Sequence, residues 1–167
     1  MRYRREPEQL PLFGPPYRFI IDACSIFAQN PNSSFPRKVH ASLWQRIDDL
    51  VANQEVVTCG QVRREVLDTG DLASQWVQNS GLVVIEEDEA IQGAVAKVVN
   101  KCPKLLNFNK VKSSGDAFLI ATAMVYGLAI ITEEKKSSPQ RIPQVAERFG
   151  IKSYNLNEFC VLQGWEF

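Results

Sequence analysis

Five short runs rich in isoleucine and valine, separated by stretches of helical periodicity, constrain this chain more than any other feature. They are FIIDA (19–23), EVVTC (55–59), LVVIE (82–86), LAIIT (128–132) and IKSYN (151–155). Several are apolar almost without interruption instead of alternating, as strands covered on both faces are. Between them, apolar residues recur every three or four positions: Leu43, Trp44, Ile47, Leu50 and Val51 in 42–53, and Ile91, Val95, Val98 and Val99 in 88–101. Shorter helices are expected over 61–69 and 71–79. Another spans 115–127, with Ser113 three residues before Asp116 as a capping arrangement and Gly127 at its end, and a last one spans 142–150. Strands alternating with helices predict an α/β fold whose central, mostly parallel five-stranded sheet is flanked by helices.

At 167 residues the chain is expected to hold one domain, over 17–167, behind a flexible lead-in. That lead-in, residues 1–16, is made non-helical by Pro7, Pro11, Pro15 and Pro16 and carries no apolar core of a secretory signal. Segments 30–38 and 133–141 are the expected mobile loops. The longest apolar stretch, near 117–131, is broken by Thr122 and Gly127 and falls short of the ~20 residues of a membrane span. Cys24, Cys59, Cys102 and Cys160 form no C-x-x-C pair, which gives neither a zinc site nor a disulfide framework and favours a reduced, cytoplasmic chain. A net charge of zero is not that of a general polyanion binder, so any contact with nucleic acid must be local.

The acids are the chemistry. Asp22 ends the first strand, Glu133 and Glu134 follow the fourth, Glu65 lies on the helix after the second, and Asp116 begins the helix feeding the fourth. In an open parallel sheet, ligands sit outside the carboxyl ends of the strands. If the first and fourth strands are neighbours, these carboxylates converge there. Two carboxylates ~6 Å apart repel by roughly 3 kcal/mol at an effective dielectric of ~20, so such a cluster calls for a counter-cation. An all-oxygen set favours Mg²⁺ or Mn²⁺ over zinc, and the single histidine, His40, is remote in sequence. Such ions suit attack of water on a phosphodiester, with Ser114 and Thr132 orienting water or phosphate. Lys110, Lys112, Lys135 and Lys136 flank the acidic motifs as candidate phosphate contacts or as ordinary solvated charges. Taken singly, Asp22 also reads as a turn former and Asp116 as a helix-capping acid.

In order, FIIDACSIF, CGQVRREVLD, SSGDAFLIATA and LAIITEEKK, followed by RIPQVAERFGIKSYNLNEF, resemble the PIN domain. Within that superfamily they resemble the prokaryotic VapC-like toxin branch long labelled only as a domain of unknown function, and the likeness covers about residues 17 to 165. The resemblance implies a PIN-like three-layer sandwich and a metal-dependent endoribonuclease, the toxin of a toxin–antitoxin pair. It also implies a homodimer and an antitoxin segment able to cover the acidic groove. Asp22, Glu65 and Asp116 match the first three metal-binding acids. Thr132 and Glu134 match the final Thr-x-Asp motif, with Glu133 between them. Where many members carry Thr-Asn after the first acid, this chain has Ala23 and Cys24, and Ser25 is the expected substitute for the lost amide contact.

Rival chemistries lack their motifs. The chain has no G-x-x-x-x-G-K-[ST] and no G-x-S-x-G. A phosphatase-type C-x5-R fails because Asn30, Glu65, Phe108 and Glu166 stand at the arginine position, and Cys24 breaks an Asp-x-Asp pattern. Two readings on the same scaffold remain beside the ribonuclease: a catalytically degenerate module that binds RNA or protein, and a DNA nuclease.

Overall fold

The computed structural model describes residues 15–102, 112–139 and 141–167, with the backbone alone for 112–115. Most of the expected lead-in, and Lys110, lie outside the described residues. Strand β1 (Phe19–Ile21) runs into a short helix α1 (Ala23–Phe27), then α2 (Ala41–Ala52), β2 (Val56–Cys59), α3 (Gly60–Leu67) and α4 (Leu72–Asn79). There follow β3 (Val83–Ile85), α5 (Glu89–Lys101), α6 (Lys112–Tyr126), β4 (Ala129–Ile131), α7 (Ile142–Arg148), β5 (Ser153–Tyr154) and α8 (Leu156–Gln163).

The strands form one sheet in the order β3-β2-β1-β4-β5, with each neighbouring pair parallel. The chain builds outward from β1 through β2 to β3, then returns to lay β4 on the other side of β1. Phe19, Ile20 and Ile21 pair with Ala129, Ile130 and Ile131. The boundary between β1 and β4 is therefore the topological switch point, where adjoining crossovers diverge and leave a crevice at the carboxyl ends. Ile20, Ile21, Ile130 and Ile131 are fully buried, which explains why these strands read as unbroken apolar runs.

Helices cover both faces, and Trp44 of α2 and Phe159 of α8 are among the largest side chains with no exposure. The indole N–H of Trp44 donates to the Phe35 carbonyl at 2.8 Å. The Asn30 amide donates to Asp71 at 2.7 Å and accepts from the Ala73 N–H at 3.0 Å. Segment 30–38, expected to be mobile, is thus fastened to both α2 and α4. No helix among the described residues is long and apolar enough to cross a membrane.

Two helices escaped the periodicity reading. Helix α1 has five residues, too few for a repeat to show. Helix α8 is set by its cap: Asn155 accepts from the Glu158 N–H at 2.8 Å while Glu158 accepts from the Asn155 N–H at 3.0 Å. Asn155→Ala should destabilise the fold by about 1 kcal/mol, read as a lower urea midpoint at unchanged slope.

Helix α6 starts earlier than expected, at Lys112, because nothing in Lys112-Ser113-Ser114 stops a helix ahead of Gly115. Ser113 therefore lies inside the helix instead of capping it, and Asp116 stands in the second turn. The anion-attracting N-terminus is correspondingly displaced from Asp116, while Ser114 stays in the first turn.

Candidate active site

The crevice at the switch point is built around Asp22. Its backbone N–H extends the β1–β4 ladder by donating to the Ile131 carbonyl at 2.9 Å. The residue then caps α1, one carboxylate oxygen, Oδ1, accepting from the Ala23 N–H at 2.8 Å. The other, Oδ2, accepts from the Thr132 hydroxyl at 2.9 Å and from the Cys24 thiol at 3.1 Å. The capping contact and the contacts to Thr132 and Cys24 thus use different oxygens of one side chain.

Cys24 does what its position seemed to forbid. Its sulfur lies 3.3 Å from Thr132 Oγ1 and accepts from the Glu133 N–H at 3.2 Å. It joins the end of β1 to the turn after β4. Burial pushes its thiol well up from the ordinary range, with the negative charge of Asp22 adding to the shift. This sulfur acts as a hydrogen-bonding group, not as a thiolate. Ser25, the expected substitute, is fully buried, and its hydroxyl has no hydrogen-bond partner among the described residues.

The two glutamates after β4 diverge, as successive residues on an extended chain do. Glu133 accepts from the Leu156 N–H at 2.6 Å, at the start of α8. Glu134 accepts from the Ile142 N–H at 2.9 Å, at the start of α7, and its Oε1 lies 3.6 Å from the Arg141 guanidinium. Its own N–H is held by Thr132 Oγ1 at 3.2 Å.

Asp116 shows how closely the acids are gathered. Burial raises its pKa to about 8, reinforced by the negative fields of Glu134, Asp22 and Glu65, while Arg141 opposes them. Burial, with Glu134 adding, also raises Asp22 to about 6, against the hydrogen bonds from Cys24, Thr132 and Ala23. The fold therefore brings Asp22, Asp116, Glu134 and the half-buried Glu65 into one electrostatic neighbourhood. Of the two glutamates, it is Glu134 whose charge acts more strongly on both aspartates.

The donor set is oxygen throughout, and its crowded negative charge fits a hard dication such as Mg²⁺ or Mn²⁺. Among the described residues, no three His, Cys, Asp or Glu side chains stand close enough to cage an ion. Such an ion would take one or two carboxylates and keep water in its remaining positions.

Of the lysines, Lys136 is exposed and paired with Glu158, and Lys135 is exposed. Lys112 and Ser114 lie on α6, with only their backbone described. Arg141 was not singled out in the sequence. The signal was present: a cation immediately before the IPQVAER helix, seven residues beyond the fourth acid.

Solved structures share this architecture. Over 84% of this chain and 98% of that one, it superposes on DNA-bound VapBC from Salmonella typhimurium with a TM-score of 0.55 at 14% identity. VapBC-1 from nontypeable Haemophilus influenzae gives 0.55 at 12% identity, covering 83% and 98%. FitAcB from Neisseria gonorrhoeae gives 0.53 at 16%, covering 83% and 97%. At these identities the likeness is one of fold, a PIN-like three-layer α/β sandwich. The chain itself belongs to the family described as a domain of unknown function, DUF4411, whose model matches residues 19–167. Among curated proteins, none matches the chain.

Proposed function

We propose that this chain is a metal-dependent nuclease that hydrolyses RNA phosphodiester bonds and serves as the toxin of a toxin–antitoxin pair. The observation that carries the reading is the gathering of Asp22, Asp116, Glu134 and Glu65 at the switch point. Burial first, and then the charge of the neighbouring acids, raises Asp22 to about 6 and Asp116 to about 8. A fold that needed only stability would not collect acids there, since each adds repulsion that burial magnifies.

Asp22, Glu65, Asp116 and Glu134 are the acids from which Mg²⁺ or Mn²⁺ would draw its one or two direct carboxylates, the others acting through its retained waters. A bound dication would supply an activated water and neutralise charge on the leaving oxygen. Thr132 and Cys24 occupy Asp22 Oδ2 and the Ala23 N–H takes one side of Oδ1, so the remaining lone pair of the carboxylate, on Oδ1, faces a fixed direction. Thr132 is almost fully buried; its role is to orient Asp22 and the Glu134 backbone. The similar VapBC and FitAcB folds support an antitoxin segment as the partner that covers the crevice, and the same reading includes a homodimer.

The test is cleavage of matched RNA and single-stranded DNA by the purified chain, in Mn²⁺ and in EDTA. RNA cut in Mn²⁺, with neither substrate cut in EDTA, is the expected result. A non-catalytic binding module draws on the zero net charge and on Glu134 being engaged by both Ile142 and Arg141. It would bind RNA without cutting either substrate, whereas DNA cleavage alone would reassign the substrate.

A further inference from the structure

Beside the four acids stands a cation whose geometry is not that of a structural ion pair. Arg141 occupies the N-cap position of α7, and the following N–H, on Ile142, is fixed to Glu134 Oε2 at 2.9 Å. Ile142 and Pro143 are buried, so the root of the arginine side chain is rigid. Its tip is not. One guanidinium nitrogen lies 3.6 Å from Glu134 Oε1, the side chain is 58% exposed, and the guanidinium makes no hydrogen bond among the described residues.

The same protein shows what an arginine committed to a carboxylate looks like. Arg37 grips Asp48 with two nitrogens, at 2.8 and 3.1 Å, and spends a third donor on Gln29 at 3.1 Å. Two other cations on neighbouring segments are paired, Arg64 to Glu87 and Lys136 to Glu158, while the exposed Lys135 beside Glu134 carries no fork. Arg141 alone among these keeps its fork open while standing at the acidic cluster.

An anionic backbone entering a crevice lined by carboxylates meets repulsion on every side. A guanidinium with two unspent parallel donors matches the non-bridging oxygens of a phosphodiester in both charge and shape. Resting on the nuclease reading above, we propose that Arg141 is a catalytic residue that grips a non-bridging oxygen of the scissile phosphate. The substrate contact is made by the planar fork, and the long contact to Glu134 is the resting position from which it is made.

The experiment compares the wild-type chain with Arg141→Gln and Arg141→Lys. Arg18→Gln, an exposed arginine at the opposite end of β1 paired with Glu55, serves as control. Binding of a fluorescent single-stranded RNA oligonucleotide of mixed sequence is followed in EDTA over a range of salt. Loss of one phosphate contact should reduce the slope of log K against log salt by about 0.7. In Mn²⁺, Arg141→Gln should lower kcat by about 10²-fold. Mn²⁺ affinity, read by electron paramagnetic resonance, should stay unchanged or tighten, because a competing positive charge has gone. Lysine should restore the salt slope but only part of kcat, since it carries the charge without the fork.

An unchanged salt slope in Arg141→Gln overturns the assignment whatever happens to cleavage, and leaves Arg141 as a counter-ion of Glu134. A wild-type chain that binds RNA but does not cut it sinks the nuclease reading, while the slope still decides whether Arg141 holds phosphate. A wild-type chain that binds no RNA overturns both.

Discussion

Asp116→Asn is expected to lower Mn²⁺-dependent RNA cleavage by on the order of 10³-fold, since one unit charge ~4 Å from a cation is worth ~4 kcal/mol at an effective dielectric of ~20. The same substitution should leave the metal-free protein at least as stable as the wild type at pH 8. Both halves follow from one feature. Asp116 is held among Glu134, Asp22 and Glu65, and its carboxyl holds its proton up to about pH 8. Without a cation its charge is a liability to the fold; with one it becomes a ligand. Asparagine keeps the shape and removes the charge. A purely structural acid would behave in the opposite way, losing stability on substitution with little effect on turnover. Cleavage rates and urea midpoints of the metal-free protein decide between these outcomes, and undiminished cleavage would remove Asp116 from the site.

The second large effect is on stability as a function of pH. Asp22 at about 6 and Asp116 at about 8 both lie above the ordinary aspartate value of 3.8. The folded state therefore binds protons more tightly than the unfolded chain. The stability this confers is complete at low pH and is lost as pH rises through about 6 and then about 8. Between pH 5 and 8 the metal-free protein should lose on the order of 3 kcal/mol, allowing for solvent screening. Asp71 and Glu158 act with the opposite sign. The hydrogen bonds of Asp71, chiefly from the Ser74 N–H, hold it below its ordinary value against burial, and the Lys136 bond does so for Glu158. Their contribution is lost below about pH 4, where the decline caused by Asp22 and Asp116 begins, which places the metal-free optimum near pH 4. Mn²⁺ competes with protons for the same carboxylates, so millimolar Mn²⁺ should flatten the decline above pH 6. Thermal midpoints across pH 5 to 8.5, in EDTA and in Mn²⁺, check both. A metal-free profile that rises toward pH 8 would mean that these acids are not gathered as described.

Much of this was legible from residues alone, for identifiable reasons. All five strands were; the reason is plainest in β1 and β4, which hold no polar residue, and in β2, broken only by the buried Thr58, whose hydroxyl donates to the Ile21 carbonyl. The meeting of Asp22 with the turn after β4 was conditional on β1 and β4 pairing, and the sheet order supplies that condition. What sequence could not resolve was direction. Glu133 and Glu134 are adjacent and chemically identical, and only the extended backbone sends one to α8 and the other to α7. Cys24 looked like a lost amide contact because residue type was weighed without reach. Its sulfur spans Asp22, Thr132 and the Glu133 N–H at distances an ordinary hydrogen bond to sulfur allows. Arg141 sat unremarked in a charged stretch, where an exposed arginine looks like any solvated surface charge.

The hydrogen bond from Thr132 to Asp22 spans 110 positions of sequence, and β4 reaches β1 after β2 and β3 have already been laid on its other side. Contacts of such separation form late, because the intervening chain must be ordered first. On a ribosome, Asp22 emerges long before Thr132, Glu134 and Arg141 exist to stand beside it. A protein of the activity proposed here would hold an unassembled site until β4 and the turn after it have been made, because the strand order places that late segment beside the first strand.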